Sequence, residues 1–478
     1  MKNIGIILLA AIGLSSCNKL AENPKSIIVA NQFYQTPNDA ISAVTAVYSS
    51  LNTDPGGDFP MYGRQLYFMA DAATDDETEG NAASNADVRA MGSITYIANN
   101  NRIQANWTQH YMGINWANVA IDNISTMQLD TTLKNRLVRE SKFIRALLYF
   151  NLVRFFGDVP LVLHQAGDIS QTTVIRTPAA GVYKQIIADL TDAENLPVSY
   201  SGNDIGRATS GAAKTLLAKV YLTQKDWKDA SSKCLEVING PYGYALFSNF
   251  ADVFNKSAKN GKEHIFSVQF LSNSGANNSR DRIMTDVFSG FSSKVPPDLP
   301  ADSSIYKAYL PGDTRKGVTY YSTLTNPATG LPYKFSFLGL RKFVDTTQLL
   351  TSIEDGINFP VLRYADVLLM YAEAVNEDQG TPTDAAYAAI NQVRERAHIH
   401  DLTTGLSQSD FRDSVYQERR LEFVQEGQRW FDLARTGRVV SAIGKVAAKK
   451  AVSTKNSLFP IPQAEINVNP NVTQNPGW

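Results

Sequence analysis

Apolar positions recur at helical spacing over most of the chain. Ile41, Val44, Val47, Tyr48 and Leu51 share one face of a helix over 40–51, and Trp107, Tyr111, Ile114, Ala117, Ile121 and Ile124 mark another. A third runs from about 132 to 156, where Leu133, Leu137, Phe143, Leu147, Phe150 and Val153 keep the same steps until Gly157 and Pro160 end it. Residues 143–156 are apolar on more than one side, so this helix is expected between neighbours. Residues 213–230 fit the 34-residue tetratricopeptide template, with Leu217, Ala218, Tyr221 and Ala230 at its offsets. The small residues let paired helices approach, and Leu217 and Tyr221 fill the seam. Residues 359–374 with 385–394, across Gly380 and Pro382, repeat that reading; 107–156 and 178–196 are looser pairs. The expected fold is mainly α: four irregular tetratricopeptide-like helix pairs forming a right-handed superhelical body.

Two stretches break the pattern. Residues 52–106 are rich in Gly, Asp, Asn and Ala, and read as a long surface excursion. Between 241 and 356 the helical signal fades; 263–270 alternates like a strand, and 272–304 is dense in turn-forming residues. Irregular segments of that length usually carry function. The spacing then predicts a charged helix over 410–436, with Phe423, Gly427, Trp430 and Ala434 facing the core. Residues 31–478 are thus expected as a single domain. Its helical body covers 31–240 and 357–478, and its ligand lobe covers 241–356 plus the excursion 52–106.

The front of the chain carries an address. Lys2, an apolar run over 4–14, then Leu14, Ser15, Ser16 and Cys17 read as a signal peptide (1–16) ending in a lipobox. Cleavage would leave Cys17 as an acylated N-terminus on a tether of residues 17–30, because several acyl chains together make a stable anchor. Elsewhere no apolar stretch reaches 18 residues. The other cysteine is Cys234, so no intramolecular disulfide is expected once Cys17 is modified.

The 478 residues include 45 Lys and Arg against 46 Asp and Glu, a balance that argues against a nucleic-acid binder. No His-Glu-x-x-His, Cys-x-x-Cys, Gly-x-Ser-x-Gly, Gly-x-Gly-x-x-Gly or Gly-Lys-Ser/Thr motif is present, so no catalytic residue and no cofactor is assigned. His398 and His400 stand close without a companion ligand. Asp75, Glu77, Glu79 and Gly80 imitate the opening of a calcium loop, but its twelfth position holds Ala86 in place of Glu; a solvated acidic loop is expected and no metal assigned. Glu418, Glu422 and Glu426 invite comparison with glycosidase carboxylates, yet interleaved Arg419, Arg420, Arg429 and Arg435 favour ion pairs at i,i+3 and i,i+4. Binding is then the default. Sugars stack their C–H faces on aromatic rings while polar side chains hold their hydroxyls. The candidate ligand residues are Tyr67, Asp75, Arg89, Tyr96 and Asn101 in the first excursion, with Phe288, Phe291 and Tyr333 in the second; Trp107 is expected to be buried.

Ordered motifs along the mature chain resemble the SusD/RagB family of outer-membrane nutrient-uptake lipoproteins from the Bacteroidetes. They are Cys17; Trp107 to Ile124 with Asn118 and Asp122; residues 143–150 with Phe156, Gly157, Asp158 and Pro160; residues 362–374; Arg420 to Phe423 with 426–433; and 459–462 with 474–477. The resemblance implies a lid over a SusC-type TonB-dependent barrel, anchored in the outer membrane and facing the exterior, that captures oligo- or polysaccharide without cutting it. A peptide-capturing lid is the alternative, and a surface glycoside hydrolase or an envelope scaffold are the remaining ones. The matched motifs are framework motifs, so they carry fold and partner but not ligand residues.

Overall fold

The computed structural model describes residues 33–53, 59–79, 83–165, 174–272, 280–281, 298–326, 329–344 and 354–478. Cys17, its signal and tether, and Phe288 and Phe291 lie outside them. The fold is mainly helical. Helix α1 (Pro37–Ser49) opens with a capping box on Thr36, and α2 (Ala86–Ser93) is capped by Asn85. Two 26-residue helices follow, α3 (Asn101–Thr126) and α4 (Thr131–Phe156), capped by Asn100 and Asp130. Then come α5 (Ala179–Ala193), α6 (Ser210–Gln224) and α7 (Trp227–Ile238). After the lobe, α8 (Tyr364–Gln379), α9 (Asp384–Arg396), α10 (Gln408–Glu422) and α11 (Arg429–Arg435) complete the body.

Packing follows the sequence pattern closely in the body. α4 is buried all round from Phe143 to Phe156 and packs on α3 and α5. In the α6–α7 pair Leu217, Ala218 and Ala230 are fully buried, whereas Tyr221 is half-buried; α8 packs against α7 and α9. The expected pair at 178–196 is the single helix α5, which finds its partners in α4 and α6. Cys234 is buried in α7, where burial pushes its thiol up and so keeps it unreactive.

The irregular regions join through short two-stranded sheets. β1 (Glu77–Glu79), from the first excursion, pairs antiparallel with β3 (Asp298–Pro300), Glu77 opposite Pro300. β2 (His264–Val268) pairs with β6 (Phe359–Arg363), which leads straight into α8, and β4 (Tyr320–Thr325) forms a hairpin with β5 (Pro332–Leu340).

Two expectations are overturned here. The first excursion is not a surface loop: residues 60–77 are buried, including the π-helical turns Met61–Gln65 and Phe68–Ala72. Its carboxylates are compatible with burial because cations from distant elements meet them. Nor is 410–436 one helix. It breaks over 423–428, where Gln425 and Gly427 adopt positive φ (68° and 66°) and the Gly427 N–H donates to the Asp71 carboxylate (3.1 and 2.9 Å).

Glu418 and Glu422 of α10 and Glu426 in the break after it do make ion pairs, but their partners are remote. Glu422 meets Arg363 (2.6 Å), Arg396 (2.5 Å) and Arg315 (3.0 Å). Glu426 meets Arg363 and Lys342, both at 2.7 Å, and Glu418 meets Arg315 (2.6 Å) and Arg394 (2.8 Å). Glu263 on the approach to β2 joins Arg363 and Arg396. This cluster is buried, so each charge depends on its partners.

Two outcomes are expected. A Cβ at Gly92 in α2 would meet the Glu79 backbone at 2.6 Å (O) and 2.7 Å (N), so Gly92→Ala should cost about 1–3 kcal/mol by forcing β1 and α2 apart, read as a lower urea midpoint; an unchanged midpoint would deny that contact. Burial alone would raise the Glu422 carboxyl, but Arg396, Arg363 and Arg315 override it and hold it well below the usual range. The unfolded chain therefore takes up protons first as pH falls below about 4.5, and stability drops over that range. Glu422→Gln should cost about 3–5 kcal/mol and make the acid slope shallower, since it leaves guanidiniums unpaired. Chemical denaturation at pH 7 and at pH 4 checks both.

Candidate functional site

A cleft of about 660 Å³ opens where the break after α10 brings two helices and the lobe together. Asp413, Tyr416, Gln417 and Arg420 form the outward face of α10, at steps of three and four. Arg429, Asp432 and Thr436 come from α11 and its end; Arg438, Ser441 and Lys445 follow on the next short helical turn. Asp302 and Ser304 enter from the lobe, and Asp75 from the first excursion.

Its charges balance: four carboxylates (Asp75, Asp302, Asp413, Asp432) face four cations (Arg420, Arg429, Arg438, Lys445). Arg429 grips Asp75 through two bonds of 2.8 and 2.7 Å, and Arg420 reaches Asp76 at 2.6 Å. Burial by itself would raise the Asp75 carboxyl; the Arg429 fork overrides it and lowers it. Burial would likewise raise Asp432, and Arg419 and Arg435 bring it down. Asp75 and Asp432 are therefore held as ionised acceptors. Tyr416 supplies a ring on the wall, with the Arg438 guanidinium 4.5 Å from its centroid, and Lys445 is exposed. The arrangement offers donors, acceptors and one aromatic face.

Beneath the cleft the calcium-like loop has a cation of its own. The Lys449 ammonium, fully buried, donates to the carbonyls of Ala72 (2.6 Å), Thr74 (2.5 Å) and Glu77 (2.6 Å). A lysine thus serves the backbone carbonyls at the start of this acidic stretch. Among the described residues no group of three or more His, Cys, Asp or Glu side chains is placed to hold a metal.

The residues singled out from the sequence scatter. Asp75 lines the cleft. Tyr67 (5% exposed) and Tyr96 (2% exposed) do not face solvent. Tyr96 stacks between Phe459 and Trp478, at 5.1 and 5.3 Å, so both its faces are covered by the C-terminal tail. Tyr67 is covered because its segment packs inward with the π-helical turns. Trp107 is buried as expected. Arg89 lies on α2, donating to the carbonyls of Ala83 and Ser84. Asn101 begins α3, exposed, and accepts from Arg102 Nε at 2.7 Å. Tyr333 sits half-buried on β5 with its ring edge-on to Phe335 at 4.9 Å. Tyr416, Arg438 and Lys445 were missed. The available signal was a tyrosine on the polar face of α10, where packing does not call for one.

Two family models match the chain: "SusD family" over residues 266–478 and "Starch-binding associating with outer membrane" over residues 48–222. SusD-like protein P2 of Formosa agariphila is 28% identical, with 99% of this chain and 98% of that protein covered. A SusD superfamily protein from Parabacteroides distasonis superposes with a TM-score of 0.80 at 28% identity, covering 92% of this chain and 99% of that one. A laminarin binding SusD-like protein superposes with a TM-score of 0.78 at 26% identity, covering 93% and 100%. Full-length similarity, shared fold and two models that follow one another along the sequence converge on one conclusion: the chain belongs to the SusD family.

Proposed function

We propose that this protein captures glycan at the outer membrane as the lid of a SusC-type TonB-dependent barrel, and that the 660 Å³ cleft holds part of the sugar chain. The observation that carries the reading is the lining of that cleft. Paired, ionised Asp and Arg groups present fixed acceptors and donors with no net charge, which suits a neutral polyhydroxylated chain, and Tyr416 offers a ring for a sugar's C–H face. Support for the ligand class comes from a similar protein described as laminarin binding and from the starch-binding, outer-membrane description of one matching family model. A non-catalytic role is supported by Glu418, Glu422 and Glu426, whose carboxylates are buried among guanidinium and ammonium partners and unable to reach a substrate. Asp75 remains in this proposal as a ligand-facing residue, with Arg89, Asn101 and Tyr333 as outlying contacts for a longer chain.

Anchoring belongs to the same proposal. Acylated Cys17 on the tether 17–30 would hold the domain 31–478 at the membrane, on its outer side, within reach of the barrel.

Isothermal titration of the full domain against starch, laminarin and alginate is expected to give saturable binding of at least one, weakened about tenfold or more by Tyr416→Ala, at a cost near 1.4 kcal/mol or above. No binding, combined with capture of peptides by the same cleft, would replace sugar by peptide; release of reducing ends would overturn the non-catalytic reading. Labelling of cells with a palmitate analogue should mark the protein and lose the mark in Cys17→Ser. A barrel co-purifying with the wild-type protein from detergent extracts is the result expected for the lid.

A further inference from the structure

A second cleft, of about 210 Å³, lies between the α5–α6 loop, the segment after α7 and the approach to β2. It shares no lining residue with the first. One wall is aromatic. The rings of Tyr242 and Tyr244 are parallel, with centroids 5.4 Å apart and planes at 17°, and Tyr200 borders the same space. The pair lies against bare backbone: a Cβ at Gly211 would meet the Tyr244 hydroxyl at 2.7 Å and Tyr242 Cδ1 at 3.0 Å. Rings held so closely keep their orientation before any ligand arrives, which lowers the ordering cost of binding.

The polar groups are unevenly committed. The Tyr244 hydroxyl meets Thr209 Oγ1 at 3.2 Å, the Tyr200 hydroxyl donates to Glu140 at 3.2 Å, and Arg207 is held by Glu140 (2.9 Å) and Asp204 (2.7 Å). The hydroxyl of half-buried Tyr242 and the ammonium of exposed Lys262 have no hydrogen-bond partner among the described residues. At the rim Val198 is 42% and Ile205 53% exposed. A flat aromatic wall, an apolar rim and two uncommitted polar groups match the amphipathic faces of a sugar ring. An extended peptide fits less well. It would need an accessible strand edge, while β2, at the back of the cleft, is buried throughout.

We propose that this cleft is a second carbohydrate subsite that takes a single sugar ring of a polysaccharide, with Tyr242 and Tyr244 as its platform and Lys262 as its hydroxyl donor. It rests on the glycan reading above. Two subsites on one body raise the apparent affinity for long chains over short ones without new contacts at either.

The test uses starch, laminarin and alginate with the full domain, by titration and by backbone hydrogen exchange. For the polysaccharide that binds, residues 242–244 and 260–262 are expected to gain protection, and Tyr242→Ala or Lys262→Ala to weaken binding of the long chain about fivefold or more while leaving a trisaccharide's affinity at the larger cleft unchanged. Lys262→Ala lies outside the ring packing, so it keeps the test valid if Tyr242→Ala alters the melting curve. Protection confined to the larger cleft, with both variants at wild-type affinity, overturns the second subsite and leaves the proposed function standing. Equal protection by a casein digest also overturns it. Absence of binding by all three polysaccharides overturns both.

Discussion

A charge removed from water must be met by its opposite, and in this fold the meeting points lie where distant parts of the chain converge. Glu422 is the centre of that constraint. Arg315 comes to it from the lobe, Arg363 from the end of β6 and Arg396 from the end of α9, while Lys342 closes on the neighbouring Glu426. Arg315 has a local partner in Asp313, but Glu422 gathers all three of its guanidiniums only when the lobe, the strand and the last helices are in place. The network contributes little net energy over an apolar core of the same volume, but it penalises every arrangement that leaves a member unpaired. It thereby fixes how the irregular lobe sits on the helical body, and with it the walls of the larger cleft.

The same principle explains the buried first excursion. Its acidic residues read as solvent-loving in isolation, and they are buried because Arg420, Arg429 and Lys449, more than 340 positions later in the chain, come to them. The Asp71 carboxylate accepts the Gly427 N–H, so the excursion also holds open the break between α10 and α11. Without that break Arg429 would continue the α10 helix instead of turning toward Asp75.

The helical body was legible because it depends on local spacing. The apolar run of α4 and the small residues at 218 and 230 each act within a few residues of their neighbours. Gly427 was visible as well, but its positive φ depends on a partner from another region, so a continuous stripe through Trp430 was the simpler reading. The site was less legible. An aromatic residue in a polar, turn-rich stretch looks exposed by its surroundings, yet Tyr96 is covered on both faces by Phe459 and Trp478 from the tail. Tyr416 looked like part of a charged helix face, and only the fold shows that this face borders a cleft. Spacing reports which residues share a side of an element, and tertiary pairing decides what that side meets.

The lysine in the acidic loop has one more implication. An ion recruited from the surroundings leaves when its concentration falls, so a loop built on one is shaped by the medium. Here the donor is a side chain of the protein itself, held in place by a few covalent bonds, and burial lowers its pKa to about 7. The carbonyls of Ala72, Thr74 and Glu77 therefore keep their partner in the presence of a chelator.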